Sequence, residues 1–133
     1  MIVPIHSDNN KNRILYISHL IERKDITLAI VDDHNDMRET IAEQMNNFGF
    51  NVIMTANNGE RILQQLDTEK QLPDVCIMDL NMPVMDGFAA IEGIRQKGLP
   101  IGVVAISMNN TPKQVQKAID AGADGFFLTK PNH

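Results

Sequence analysis

The chain has 133 residues, enough for one domain with a single substantial core, and its formal net charge is −5 at neutral pH. An acidic balance without a basic stripe argues against direct binding of nucleic acid. The chain starts without the features of a signal peptide, and its longest N-terminal apolar patch, Ile14 to Ile21, is too short to span a bilayer. The single cysteine, Cys76, lies in an apolar run, which excludes an internal disulfide and fits a reducing compartment. We therefore expect a soluble cytoplasmic domain without a membrane contact.

Residues 1–24 differ in pattern from the rest and are interpreted as an N-terminal extension to a domain at 25–133. A polar stretch, His6 to Arg13, comes first. The apolar residues that follow it fit one amphipathic helix; they are Ile14, Leu15, Ile17, Leu20 and Ile21.

From residue 25 onward, short apolar runs alternate with amphipathic stretches. The runs predict five strands, at Ile26 to Val31, Val52 to Ala56, Asp74 to Met78, Ile101 to Ile106 and Gly125 to Leu128. Four helices are predicted between them, with Asn35 or Asp36, Asn58 and Thr111 as capping residues for three of these helices. This alternation indicates an α/β fold with a doubly wound parallel sheet covered on both faces.

Polar side chains stand at the carboxyl ends of four of these predicted strands, where open α/β sheets place their sites. Asp32 and Asp33 follow the first strand, and Asp79 ends the third. Ser107 ends the fourth strand, and Lys130 follows the fifth. Three carboxylates at one sheet edge either bind a hard cation or repel one another, so this edge is a candidate site.

The sequence resembles the receiver domains of two-component response regulators from residue 26 to about residue 131. The matching parts are the Asp32-Asp33 pair, the stretch from Asp79 to Gly87, Ser107, and Lys130-Pro131. The resemblance implies a CheY-like, flavodoxin-like fold with five parallel strands in the order 2-1-3-4-5. It also implies that a sensor histidine kinase or a phosphotransfer protein donates a phosphoryl group to this domain.

The resemblance further implies a role for each matching residue. Asp79 would be the phosphoacceptor, and Asp33, Asp79 and the main-chain carbonyl of Asn81 would bind Mg²⁺, with Asp32 acting through a coordinated water. Ser107 and Lys130 would contact the phosphoryl group. These residue types suit the chemistry, because Mg²⁺ prefers oxygen ligands and a carboxylate nucleophile needs no general base at neutral pH. His34 is expected to be solvated rather than a metal ligand.

Three features depart from the common pattern of the family. Met108 replaces the small residue that usually follows the Ser or Thr, and we expect it to limit access of water and small phosphodonors to Asp79. The switch aromatic falls at Phe127, although Phe126 is an alternative because the spacing to Lys130 is one residue longer. The chain stops at residue 133, without the fifth helix that the family has after the Lys-Pro pair, so either the chain is cut from a longer protein or another segment replaces that helix. The predicted helix at Ile14 to Ile21 is a candidate replacement for that helix, either within one chain or swapped in a homodimer.

The predicted function is a phosphorylatable signalling switch, not an enzyme, with an unknown output domain or protein. Two alternatives remain: a degenerate receiver that docks without phosphorylation, and a phosphohydrolase with an Asp nucleophile. The phosphohydrolase is disfavoured because the position two residues after Asp79, where such enzymes carry a second Asp, holds Asn81.

Overall fold

The computed structural model describes residues 2–4, 25–109 and 111–128, with the main chain alone for 2–4. The elements in chain order are β1 (Ile2–Pro4), β2 (Thr27–Val31), α1 (Asn35–Asn47), β3 (Asn51–Ala56), α2 (Gly59–Thr68), β4 (Val75–Asp79), α3 (Gly87–Gln96), β5 (Gly102–Ser107), α4 (Pro112–Ala121) and β6 (Gly125–Leu128). No helix in these described ranges has the length and apolar character needed to cross a membrane. The predicted helix at Ile14 to Ile21 and the predicted site residue Lys130 lie outside the described residues.

The strands form one six-stranded sheet in the order β1-β6-β5-β4-β2-β3. The five strands from β2 to β6 are parallel, and their order is the predicted 2-1-3-4-5 arrangement when β2 is counted as the first. β1 was not predicted. It pairs antiparallel with β6 at the sheet edge, where Ile2 lies opposite Phe127 and Pro4 opposite Gly125.

One face of the sheet carries the main hydrophobic core. Alternate residues of each strand point to this face, as the pleat requires, and Ala29, Met78, Val103 and Phe126 are examples. Helices α2, α3 and α4 pack on this face. Their buried apolar residues are Ile62 and Leu66 in α2, Phe88, Ile91 and Ile94 in α3, and Ala118 and Ala121 in α4. Helix α1 contributes no residue to this core, and none of its residues is buried. It packs instead on β2 and β3.

Capping side chains fix the starts of three helices. Asn58 accepts a hydrogen bond from the main-chain N–H of Arg61, as predicted, and Thr111 accepts one from the N–H of Gln114. Asp86 caps α3 through the N–H of Ala89. The prediction for α1 was wrong: neither Asn35 nor Asp36 is its cap, because the helix already begins at Asn35 and His34 takes the capping position without a side-chain bond.

Hydrogen bonds and an ion pair connect the elements at the amino-terminal edge of the sheet. The Asp74 carboxylate accepts hydrogen bonds from the main-chain N–H and the hydroxyl of Thr27, at 3.0 and 3.1 Å. Arg95 donates to the Asp124 carboxylate at 2.6 Å, and the N–H of Val103 donates to the same oxygen at 2.8 Å. The Asp124 side chain is only 2% exposed, so this edge carries a buried and fully engaged ion pair.

Candidate functional site

The acidic site forms because two adjacent parallel strands end at the same level. Val31, the last residue of β2, pairs with Met78 of β4, so Asp32 and Asp79 follow at neighbouring positions. Four residues, Asp32, Asp33, His34 and Asp79, each offer one ligand atom, and these atoms all lie within 4.8 Å of one another. The sequence predicted the three carboxylates at this edge, and the structure places them together.

The two carboxylates after β2 have different surroundings. Asp32 is buried at 3% exposure, and its side chain accepts a hydrogen bond from the His34 N–H at 2.8 Å. Asp33 Oδ1 is also shielded from solvent but accepts no hydrogen bond from the described residues. His34 Nδ1 lies 3.1 Å from that oxygen, in a contact that lacks hydrogen-bond geometry, and 3.4 Å from Asp32 Oδ1. A buried carboxylate oxygen without a donor is costly, and a cation would satisfy it.

Asp79 responds to this environment. The pKa of its carboxyl group is raised from 3.8 to about 7; burial is the largest cause, the charges of Asp32 and Asp33 act in the same direction, and the Asn81 N–H bond opposes the change. The Asn81 N–H donates to Asp79 Oδ1 at 3.1 Å. Since three carboxylates crowd one position, the proton and a metal ion compete for the same oxygens.

The arrangement fits a hard divalent cation. The donor set is mainly carboxylate oxygen, which Mg²⁺ prefers, and the unsatisfied Asp33 oxygen belongs to it. Asn81, whose carbonyl is the further predicted ligand, follows Asp79 by two residues and is exposed. Its role in binding the ion stays a prediction.

The loop after β4 folds back tightly on the strand. The Gly87 N–H donates to the carbonyl of Leu80 at 3.1 Å, and a Cβ atom at Gly87 would lie 2.7 Å from the Leu80 Cα. Leu80 and Met82 are buried, which ties the loop to the core. Val84, at the tip of the loop, has a positive φ of 67° and is exposed. The main chain around Asp79 is therefore fixed by packing on both sides.

Ser107 lies at the end of β5, next to β4. Asp79 pairs with Ile106, so Ser107 follows one position beyond the acceptor. The Ser107 side chain is buried, and its oxygen accepts a hydrogen bond from the Asn109 N–H at 3.0 Å. Among the described residues the hydroxyl donates to no acceptor, so its proton is available to another group. Met108 is 69% exposed, and its effect on access to Asp79 stays a prediction.

The two candidate switch aromatics point to opposite faces of β6. Phe126 is buried in the main core, whereas Phe127 is half-buried on the other face. The choice of Phe127 as the switch residue stays a prediction.

Two contacts at the site were missed from the sequence. His34, expected to be solvated, has a 74% exposed side chain but reaches both carboxylates that precede it. Arg38, in the first turns of α1, donates to the Asp32 carbonyl at 2.9 Å and so fixes the turn after β2. Its spacing of six residues from Asp32 is the one sequence signal, and it is weak. A polar pocket of about 380 Å³ beside this turn is lined partly by Arg38 and Arg61, and no predicted site residue lines it.

Comparison with known proteins agrees with this geometry. The family model described as "Response regulator receiver domain" matches residues 28–133. The sensor histidine kinase RcsC of Escherichia coli K12 is 30% identical over 98% of this chain and 13% of its own length. The nitrate/nitrite response regulator protein NarL of the same strain is 32% identical over 77% of this chain and 47% of its own length. The chain thus spans less than half of these curated relatives.

Solved structures show the same fold. The signal receiver domain of the response regulator NarL from Mycobacterium tuberculosis is 31% identical, with a TM-score of 0.74 over 83% of this chain and 88% of that one. CheY in the CheX-CheY-BeF3-Mg complex from Borrelia burgdorferi has the same TM-score at 25% identity, covering 80% of both chains.

Proposed function

This chain belongs to the response regulator receiver domain family, and we propose that Asp79 accepts a phosphoryl group from a phosphohistidine with the help of Mg²⁺. The observation that carries the proposal is the convergence of Asp32, Asp33 and Asp79 within 4.8 Å at the end of two adjacent strands. A site built only for stability would not place three carboxylates together, since their repulsion adds to burial in raising the pKa of one of them to about 7.

In the proposed reaction an Asp79 oxygen attacks phosphorus as the bond from phosphorus to the imidazole nitrogen breaks. The electron pair of that bond stays on the imidazole, which takes a proton from solvent. When bound, Mg²⁺ would neutralise charge on the carboxylates and the phosphoryl oxygens. Asp33, Asp79 and the Asn81 carbonyl would hold the ion, and Asp32 would orient it through a water.

The residues of this chain supply positioning. The packed loop after β4 holds the Asp79 main chain, and the Asn81 N–H donates to one carboxylate oxygen, which leaves the other oxygen as the proposed nucleophile. The Ser107 hydroxyl, whose oxygen accepts a hydrogen bond from the Asn109 N–H, would donate its proton to a phosphoryl oxygen. Lys130 is proposed to pair with the same group. We propose that Phe127 follows Ser107 when it moves, which changes the surface of α4 and β6 for a partner.

The partners remain proposals. A sensor histidine kinase or a phosphotransfer protein would supply the phosphoryl group in the cytoplasm, and an output domain or protein would read the result. The relatives are a sensor kinase and a response regulator, and this chain corresponds to 13% and 47% of them. We propose that formation of a homodimer is one way in which this domain passes its phosphorylation state to the output domain or protein.

The test is to incubate the protein with Mg²⁺ and acetyl phosphate and to record its intact mass. We expect one phosphoryl adduct, lost in Asp79→Asn and retained in the surface control Asp67→Asn. Beryllofluoride with Mg²⁺, the combination bound by the CheY neighbour, should perturb the NMR signals of Ser107 and Phe127. If neither acetyl phosphate nor a kinase produces the phosphoryl adduct, the result would instead favour a receiver that docks without phosphorylation.

We further propose that the domain is not a phosphohydrolase. Asn81 occupies the position where such an enzyme needs a second acid, and an amide cannot transfer the proton. A steady release of phosphate from an aryl phosphate, abolished in Asp79→Asn, would contradict this.

A further inference from the structure

The polar pocket beside the turn after β2 lies at the end of the edge strand of the sheet. It has a volume of about 380 Å³ and is lined by Arg38 of α1, residues 55–58 at and after the end of β3, and Arg61 and Gln65 of α2. β3 is the last strand of the sheet, and α1 packs on it outside the core that α2 joins. The pocket is therefore distinct from the cluster of carboxylates, none of which lines it.

The pocket concentrates positive charge on a chain whose formal net charge is −5. Two guanidinium groups from different helices line it, and none of the described lining residues has a carboxylate. The Arg61 side chain donates to no described residue. Arg38 donates to the Asp32 carbonyl at 2.9 Å and to Asn35 Oδ1 at 2.7 Å, but an arginine has five N–H groups. Both arginines can thus donate to a ligand.

Local hydrogen bonds hold the amide side chains of the pocket. Asn58 Oδ1 accepts from the Arg61 N–H at 2.8 Å, and Asn58 Nδ2 donates to Asn57 Oδ1 at 3.3 Å. Gln65 Nε2 donates to the Thr55 carbonyl at 3.1 Å, whereas its shielded Oε1 accepts no hydrogen bond from the described part of the chain. A buried acceptor without a donor is costly, so a ligand that brings a hydroxyl group to this wall would be favoured.

The balance of donors and acceptors indicates the class of ligand. A carboxylate has two oxygens, which one guanidinium fork can fill, whereas a phosphate monoester has three terminal oxygens and can accept from both arginines. The volume falls within the range of roughly 300–1,000 Å³ that small-ligand pockets occupy, and it exceeds what a phosphate ion alone would fill. Ala56 is the one apolar residue among those that line the pocket, so the rest of the ligand should be polar.

We propose that this pocket binds a small phosphorylated polyol, such as a sugar phosphate, with the phosphate group at Arg38 and Arg61 and a hydroxyl group at Gln65. The same pocket residues hold Asp32, since the Ala56 carbonyl accepts from the Asp32 N–H at 3.1 Å and Arg38 donates to the Asp32 carbonyl. A ligand on Arg38 thus contacts a residue that fixes the turn of the acidic site. This inference does not depend on the phosphorylation of Asp79.

An NMR titration of the full chain with glucose 6-phosphate tests the pocket, with a chelator present to keep metal ions from the carboxylates. We expect saturable shifts of the amide signals of residues 57–61. Arg61→Gln should weaken binding about tenfold, because it removes a charged donor to the phosphate group. Lys70→Gln removes the same charge from an exposed residue that does not line the pocket, and it should change the affinity by less than about twofold.

Two further ligands separate the contributions of the phosphate group and the sugar. Glucose should cause no shifts, and inorganic phosphate should bind about tenfold more weakly than glucose 6-phosphate, since it leaves most of the pocket unfilled. Equal affinity for these two phosphates would overturn the proposal in favour of a site for the free anion.

The variants and the location of the shifts give the other decisive outcomes. Unchanged affinity of Arg61→Gln for glucose 6-phosphate would overturn the proposal. Shifts confined to the loop after β4 would also overturn it, because the ligand would then bind at Asp79. Circular dichroism shows whether Arg61→Gln is folded; if it is not, Arg61→Lys replaces it, which keeps the charge but lacks the guanidinium fork and should also bind more weakly.

Discussion

Replacing Asp79 by Asn should stabilise the metal-free protein at pH 8. The native carboxyl group sits against Asp32 and Asp33, and burial and these charges raise its pKa from 3.8 to about 7. The folded state therefore binds the Asp79 proton more tightly than the unfolded chain does. This favours folding below pH 3.8, and the advantage is lost as the pH rises to about 7. The amide introduced by the substitution would carry no charge, and its N–H could donate to the unsatisfied Asp33 oxygen.

The size of the effect follows from the pKa change. A difference of about three pH units corresponds to about 4 kcal/mol in a fully shielded site. Asp79 is only partly buried, so solvent screening reduces this. We expect Asp79→Asn to raise the free energy of unfolding by about 1–2 kcal/mol at pH 8, and by almost nothing near pH 4.

The measurement is urea unfolding of both proteins between pH 4 and pH 8 with a chelator present. Asp120→Asn is the control, because Asp120 is exposed on α4 and its bond from the Gln116 amide is one that Asn can also accept. The free energy of unfolding of Asp120→Asn should differ little from that of the native protein, and the difference should not change with pH.

Added Mg²⁺ should reverse the ranking. A ligand at about 100 times its dissociation constant stabilises the folded state by about 2.7 kcal/mol, and the native carboxylate set should gain most of this. Asp79→Asn lacks one ligand and should gain little. An Asp79→Asn protein that is equally or less stable than the native one at pH 8 without metal would refute the electrostatic reasoning.

Other substitutions probe the framework around the site. Gly87→Ala should lower the free energy of unfolding by about 3 kcal/mol, because its Cβ would press on main-chain atoms at the end of β4. Gly93→Ala is the control and should lower it much less, because its Cβ meets only the tip of a leucine side chain. Urea unfolding measures both. Arg95→Met should cost about 3 kcal/mol or more in the same measurement, because it removes the cation that donates to the buried Asp124 carboxylate; a loss below about 1 kcal/mol would contradict this. Met108→Ala should shorten the lifetime of the acylphosphate by about threefold in a mass-spectrometric decay assay, since less bulk then opposes the attack of water. An unchanged lifetime would exclude Met108 as a barrier.

Much of the sheet could be predicted because the apolar runs are short and bounded by clear turn and cap residues. Asn58 and Thr111 cap their helices as their sequence context indicates, since a side chain and an N–H three residues later interact locally. The strand order itself came from the family resemblance, because periodicity carries no information on which strands are neighbours. The three carboxylates could be placed together once β2 and β4 were taken as neighbours.

The missed features depend on contacts between distant parts of the chain. β1 has three residues including Pro4, too few for any periodic signal, and it exists through pairing with β6 at the other end of the domain. The approach of His34 and Arg38 to Asp32 depends on the main-chain turn after β2, which spacing alone does not define. The register of β6 was needed to decide which of Phe126 and Phe127 points to the main core.

The two edges of the sheet differ in a way that bears on where the domain opens. At the amino-terminal edge, the Asp124 carboxylate accepts a hydrogen bond from Arg95 and the Asp74 carboxylate accepts one from the Thr27 N–H. At the carboxyl-terminal edge, like charges are held together with an acceptor unsatisfied. Without a cation, the carboxyl-terminal edge should therefore open more readily than the amino-terminal edge, even though packing holds the loop after β4 against the strand. Amide hydrogen exchange should show this as a gradient of protection along each strand, and a cation or phosphoryl group would flatten it from the carboxylate end.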